Sequence, residues 1–321
     1  MDSSNRLFCP LIFSLLAFAG CSPTPDGETP VNASAPVHRL KVVASFLPIY
    51  AHTSRVAGGS ADVTMLLQSD SGPHDYQLAP DDMKRIADAD LFVVNGGGIE
   101  AWLDDLVQAV GSPRLKVVDT GVGIVPSDVP EEITLGQSGQ KHRHEHVHES
   151  EEGINPHYWL DPVHAISQVE VIRDALISAD PNQGGSYQAN AAAYILELQA
   201  LHAAFQTALD TLPGKNLVTF HDAFPYFARR YGLNYVGFIE AFPEKDPSPR
   251  QLKALVDAIR RNQVKVLFAE TGYAPAILRT LAAETGARVA ELDTLEVGEP
   301  VPDAYLVRMR NNLRALQQAA P

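Results

Sequence analysis

Cysteine is nearly absent. The 321-residue chain has two, Cys9 and Cys21. Cys9 falls in an N-terminal segment with the features of a cleaved leader, so no internal disulfide can staple the mature fold, and stability must come from a core or a ligand. Basic residues are also few: 25 Lys and Arg stand against 39 Asp and Glu, a formal net charge of -14. A nucleic-acid-binding face needs clustered positive charge, so nucleic acid is excluded as a partner, whereas a cation suits the balance. Residues 8–19 are apolar but fall well short of the ~20 residues of a membrane-spanning helix, and no such span follows in the mature chain. No Ser/His/Asp arrangement is apparent either. Asn95-Gly96-Gly97-Gly98 lacks the Lys and Ser/Thr of a phosphate-binding loop and reads as a flexible strand-to-helix turn.

The apolar run has the length of a signal-peptide core and ends in Ala17-Phe18-Ala19-Gly20-Cys21. Small residues before a cysteine resemble a lipobox. Residues 1–20 are therefore expected to be a signal peptide and Cys21 the lipidated first residue of an exported, periplasmic or cell-envelope protein. Residues 21–38, rich in Pro, Ser and Thr, read as a flexible tether.

From residue 40 onward, short apolar runs alternate with helical patterns. Strands are expected at 41–46, 63–67, 91–95 and 115–119, with helices at 80–87 and 100–109. A second set of strands is expected at 216–220, 234–238, 264–269 and 288–292. Strand–helix alternation argues for parallel sheets covered by helices. Ser248-Pro249-Arg250-Gln251 is a capping box, and Gly232 and Gly286 stand where helices end. Between the sets, Tyr194, Leu198, Leu201, Phe205, Leu209 and Leu212 recur at spacings of four and three, one face of a long helix. The fold class is α/β: two lobes, each a roughly four-stranded parallel sheet, joined by one long rigid helix. The expected division is 39–185, 186–213 and 214–321.

In such sheets ligands lie beyond the carboxyl ends of the strands. Four side chains stand there. His74 follows the second strand, His157 lies in NPHYWLDP, where Asp161 and Pro162 open a helix, His221 directly follows a strand, and Asp293 directly follows the last. Asp222 could cap the helix behind His221. Three imidazoles and a carboxylate suit tetrahedral zinc. Imidazoles yield to protons near pH ~6.5, so binding should weaken in acid. Glu270 closes another strand at the same sheet end and is either an alternative ligand or an acceptor for a ligand histidine. The stretch 141–152 holds His142, His144, His146 and His148 among charges without apolar periodicity, a tract suited to loose metal recruitment.

GPHDYQLAPDD, NPHYWLDP, TFHDAFPYFARRYGL, PEKDPSPRQL, FAE…ELDTLEVG and YLVRMRNNLRAL resemble, in order, the motifs of zinc and manganese ABC-transporter solute-binding proteins, over nearly the whole mature chain. The resemblance implies that His74 and His157 bind metal from the N-terminal lobe and His221 and Asp293 from the C-terminal lobe. ELDTLEVG lacks the Pro that many relatives have after the aspartate, which leaves water as the alternative fourth ligand. Histidine at position 221, where manganese members often have Glu, implies Zn2+ ahead of Mn2+. It further implies a monomer that is not an enzyme and hands its cargo to a permease and its ATPase. Two other readings stay open from the residues: a zinc-dependent hydrolase with Glu270 as general base, and a metal-binding surface adhesin.

Overall fold

The computed structural model describes residues 39–74, 76–125, 155–211, 215–240, 249–271 and 276–319. The signal segment 1–20, Cys21, the tether 21–38, the His-rich stretch 141–152 with its four histidines, and Ser248 of the capping box lie outside the described residues.

Among the described residues, four-residue runs of β-branched and aromatic side chains build the first sheet. These are β1 (Lys41–Ala44), β2 (Asp62–Met65), β3 (Leu91–Val94) and β4 (Lys116–Asp119). All pairings are parallel, in the order β2-β1-β3-β4. The central β3, LFVV, is buried at every residue, as a strand covered on both faces must be, whereas the edges β2 and β4 keep polar residues in contact with water. The helices α1 (Leu47–Ala57), α2 (Pro80–Ala87) and α3 (Leu103–Val110) connect the strands.

The second sheet repeats this plan with β5 (Asn216–His221), β6 (Asn234–Glu240), β7 (Val266–Glu270) and β8 (Arg288–Leu292), again parallel, in the order β6-β5-β7-β8. Its helices are α6 (Pro225–Arg230), α7 (Pro249–Arg261), α8 (Ala276–Thr285) and α9 (Ala304–Ala319). Gly232 and Gly286 follow α6 and α8 with φ of 61° and 75°, the left-handed region where helices end cheaply on glycine. Between the sheets run α4 (Pro162–Ala179) and α5 (Gly184–Asp210). Every expected strand is present, with ends moved by no more than two residues. The long helix begins slightly earlier and ends slightly sooner than its apolar stripe suggests.

The α5 stripe of Tyr187, Tyr194, Leu198, Leu201, Phe205 and Leu209 is buried throughout. Its N-terminal half serves the first lobe, where Tyr194 Oη meets His52 Nδ1 at 2.9 Å. Its C-terminal half serves the second, where Phe205 packs edge-on against Phe227 at 5.0 Å. Packing joins the lobes as firmly as the helix does. One apolar core runs from Val42 and Phe92 through α4 and α5 to Phe227, Leu292 and Tyr305, and only the layer under α7 and α8 has a cluster of its own. Residues 39–321 accordingly form one compact unit. Parting the lobes would expose this shared core at about 25 cal/mol per Å².

The Asn95-Gly98 turn carries no phosphate-binding geometry, but it is pinned rather than loose. Its three glycines have φ of 84°, 66° and 80°. A Cβ on Gly96 would sit 1.9 Å from Asp119 Oδ1, so no larger residue fits. The buried Glu100 carboxylate accepts from the N–H of Asn95 at 2.7 Å, from Gly96 N–H at 3.1 Å and from Ser45 Oγ at 2.7 Å. Burial raises its pKa to about 7 despite these donors.

His52 gives the fold a measurable pH dependence. It is fully buried, its Nε2 has no partner, and burial lowers its pKa to about 3. The folded protein keeps it neutral, while the unfolded chain takes up a proton below pH ~6.5. Stability from this residue is therefore complete above that pH and falls by about 1.4 kcal/mol per unit as pH drops toward the folded value. In urea unfolding of the apo protein, His52→Gln should flatten the slope of stability between pH 6 and 4 by about that amount. Parallel slopes for the two proteins would refute this.

Candidate metal centre

The two sheets have the same strand order, and in each the crossover reverses beside the first strand. That reversal opens a crevice beyond the strand ends. His221 is the last residue of β5 and Glu270 the last of β7, the two strands flanking the reversal in the second sheet.

His74 stands on the connection after β2. The Trp102 indole N–H reaches Pro73 O at 3.4 Å and the ring packs at 5.7 Å on Tyr76, whose hydroxyl donates to Asp82 at 2.6 Å. His157 enters a single 3-10 turn, Tyr158–Leu160. Tyr158 Oη donates to Asn95 O, and Trp159 Nε1 donates to Thr294 O at 2.8 Å across the lobe boundary. Asp161 caps α4 as expected, accepting from Val163 N at 3.0 Å, and pairs with Arg230 at 2.8 Å. Asp222 does not cap α6. That helix begins at Pro225 without a side-chain cap, and Asp222 accepts instead from Tyr235 Oη at 2.9 Å and from Asn155.

The three histidines converge with a carboxylate, and the carboxylate is Glu296. His74 Nε2 and His157 Nε2 are 3.1 Å apart. Glu296 Oε2 lies 3.7 Å from His74 Nε2, and its Oε1 lies 3.6 Å from His157 Nε2 and 3.9 Å from His221 Nδ1. One donor atom from each of the four lies within 4.8 Å of all the others. Zinc–ligand bonds of ~2.0–2.1 Å in a tetrahedron put the donors ~3.3 Å apart. The His74–His157 pair stands close to that figure, and the Glu296 oxygens lie a few tenths of an ångström beyond it from both histidines.

Asp293, expected as the fourth ligand, is held elsewhere. Arg308 Nη2 donates to its Oδ1 at 2.7 Å and Nε to its Oδ2 at 2.5 Å, and Leu295 N–H takes Oδ1 at 2.8 Å. Asn312 holds its backbone at both N and O, each at 2.8 Å. Three of its four lone-pair sites are taken, and it stands outside the four-residue group. Its work is to frame the loop behind β8, which Leu295 turns with a left-handed φ of 63°. Glu296 then faces the histidines. ELDTLEVG offers two carboxylates three residues apart, and the one next to the strand is the natural choice; only the Leu295 turn reverses it, and nothing in a leucine signals that turn.

Glu270 stands behind His221 and outside the four-residue group. His221 Nδ1–H donates to Glu270 Oε1 at 3.0 Å, and His157 Nδ1–H donates to Asn155 Oδ1 at 2.9 Å. Each bond fixes a tautomer whose Nε2 carries the free lone pair a metal requires. His157, His221 and Glu296 are buried, and Glu296 Oε1 has no hydrogen-bond partner. A buried carboxylate oxygen without a donor is rare. A cation at the centre would answer it. Burial resists ionisation of Glu296, but His157 and His74 outweigh it and hold the carboxyl well below the usual range. Burial, with the charges of His221 and His74, lowers His157 to about 3. Burial also works against charge on His221, but Glu270 and Glu296 prevail and raise its pKa.

The family described as zinc-uptake complex component A, periplasmic, matches residues 42–319. The chain is 34% identical over 288 residues to the zinc-binding protein AdcA of Streptococcus pyogenes, covering 87% of this chain and 56% of that protein. It therefore spans little more than half the length of that relative. It is 31% identical over 308 residues to the high-affinity zinc uptake system protein ZnuA of Bacillus subtilis, covering 95% of this chain and 94% of that protein. Its fold matches the Zn(II)-bound ZnuA-like domain of Streptococcus pneumoniae AdcA with a TM-score of 0.71 at 30% identity, over 88% of this chain and 99% of that one. With two parallel four-stranded sheets, a largely buried His/His/His/Glu group between them and a family match along nearly all of its described length, the chain belongs to the ZnuA family of periplasmic zinc-uptake components.

Proposed function

We propose that this chain captures Zn2+ outside the cytoplasm and delivers it to an ABC-type permease and its ATPase, with His74, His157, His221 and Glu296 as the ligands. The carrying observation is the buried three-histidine, one-carboxylate group with its unpartnered Glu296 oxygen. Four protein donors complete a tetrahedron, whereas a catalytic zinc keeps a position open for water. Glu270, the general base a hydrolase would need, is committed to His221. Both points argue for a carrier rather than an enzyme. Imidazole donors favour zinc over the harder manganese ion. After dialysis the protein should retain about one zinc per chain and prefer zinc to manganese in competition at neutral pH. Tighter manganese binding, or no retained metal after zinc loading, would overturn the reading.

The same proposal places the chain at a membrane surface through a lipid on Cys21, supported by the lipobox-like residues 17–21 and the Pro-, Ser- and Thr-rich stretch behind them. No helix among the described residues is long and apolar enough to cross a membrane. Cys21→Ala should move the protein from the membrane fraction to the soluble one. Absence of labelled fatty acid from the wild-type protein would rule the anchor out. The histidines at 142, 144, 146 and 148 would raise the local zinc concentration near this site.

A further inference from the structure

We propose that Asn155 is a positioning residue that couples the orientation of the His157 ligand to the pairing of the two lobes. Its side-chain oxygen accepts from His157 Nδ1–H at 2.9 Å and from the His157 backbone N–H at 3.0 Å. Its side-chain nitrogen donates to Asp222 O at 2.8 Å and to Asp222 Oδ2 at 3.2 Å. The amide orientation follows from these partners. Flipped, it would set its NH2 against the His157 backbone N–H and its oxygen against two Asp222 acceptors.

The two halves of this amide serve different lobes. On one side, Pro156 O accepts from Asn95 Nδ2 at 3.0 Å, which ties the 155–157 segment to the end of β3 in the first lobe. On the other, Asp222 directly follows His221 at the end of β5 and is steadied by Tyr235 Oη on β6. Tyr226 Oη of α6 adds a second crossing, donating to Asn155 O at 2.7 Å. If the lobes part along this seam, Asn155 must release either His157 or Asp222. Releasing His157 frees its tautomer and ring angle, and with them the lone pair aimed at the metal. Only an amide holds both partners. A carboxylate at this position would still accept from His157 but would donate nothing to Asp222 and would repel its charge.

This inference rests on the zinc reading of the four-residue site, and the test separates the two. Full-length wild type, Asn155→Ala and Asn155→Asp are compared in three measurements: zinc release to excess chelator by stopped flow, zinc association, and the imidazole nitrogen signals of His157 by NMR in the apo protein. Loss of an outer partner of a ligand histidine costs roughly 10–100-fold in metal affinity. Asn155→Ala should lose about that much, mostly as faster release, and should mix the His157 tautomers. Asn155→Asp should keep the Nδ1–H tautomer yet still release zinc faster than wild type. The coupling is overturned if either variant releases zinc at the wild-type rate, or if Asn155→Asp loses the tautomer. If Asn155→Ala fails to fold, Asn155→Asp decides alone. Wild type that binds no zinc overturns the proposed function and this inference together. Wild type that binds zinc beside variants that release it unchanged overturns only the coupling.

Discussion

Glu296→Ala should lower zinc affinity far more than Asp293→Asn. Removing Glu296 leaves a dication among three neutral imidazoles in a buried site. Breaking a buried charge pair by deleting one partner costs about 3–5 kcal/mol, or roughly 10²- to 10⁴-fold in affinity. Asp293→Asn keeps an oxygen for Leu295 N–H and loses the charge that faces Arg308. Its effect on zinc passes through the loop, so about 10–100-fold is the expected ceiling, the range for groups that orient a ligand without touching the metal. The apo proteins should rank the other way in stability. Asp293 has three side-chain bonds to lose, whereas Glu296 Oε1 sits buried without a donor. Chelator competition at pH ~7.5, where unperturbed histidines are neutral, together with apo melting curves, measures both rankings. A larger zinc loss for Asp293→Asn than for Glu296→Ala would return Asp293 to the ligand set.

The proposed exchange of Asp293 for Glu296 marks the limit of what the residues announce. Strand ends were legible because a strand needs a run of apolar residues and a stop. His221 and Glu270 therefore took their places at the ends of β5 and β7 from local pattern alone. The long helix was legible for the same reason, since its buried stripe repeats at helical spacing. The sheet order was not, because a covered parallel strand such as LFVV reads as an apolar run whichever neighbour it takes. The shared core was equally hidden. Trp159 looks like packing in sequence, yet its indole N–H crosses to Thr294 and its carbonyl accepts from Tyr305 Oη at 2.7 Å. Groups that hold other side chains in place, such as Asn155 behind His157 and Arg308 behind Asp293, act across 2 and 15 residues of chain respectively. Only the nearer of these pairs is visible as a motif, and even there NPH gives no sign that the Asn side chain also reaches Asp222.

Protons should compete with zinc at His221 well before they compete at His157. The expectation from reference values was collective titration near pH ~6.5. The site divides that behaviour. His157, lowered to about 3 by burial and its charged neighbours, stays neutral at any pH relevant to uptake. Glu296, held well below the usual carboxylate range, stays ionised. His221 is raised, because Glu270 and Glu296 outweigh its burial. Its proton is therefore bound in the apo site at pH values where an ordinary histidine has begun to lose it, and zinc must displace it. Above the raised pKa binding is unpenalised; below it, affinity falls about tenfold per pH unit through this group. Glu270→Gln removes the largest contribution holding that proton while keeping an oxygen for Nδ1–H. Its proton competition should then begin at lower pH. Between pH 8 and 6 the variant should lose less zinc affinity than the wild type, even if its affinity at pH 8 is weaker for want of the carboxylate. Titration calorimetry in two buffers of different ionisation enthalpy reads the same event directly. At pH 7, zinc binding should release more protons from wild type than from Glu270→Gln. Equal proton release from the two proteins would show that Glu270 orients His221 without setting its charge.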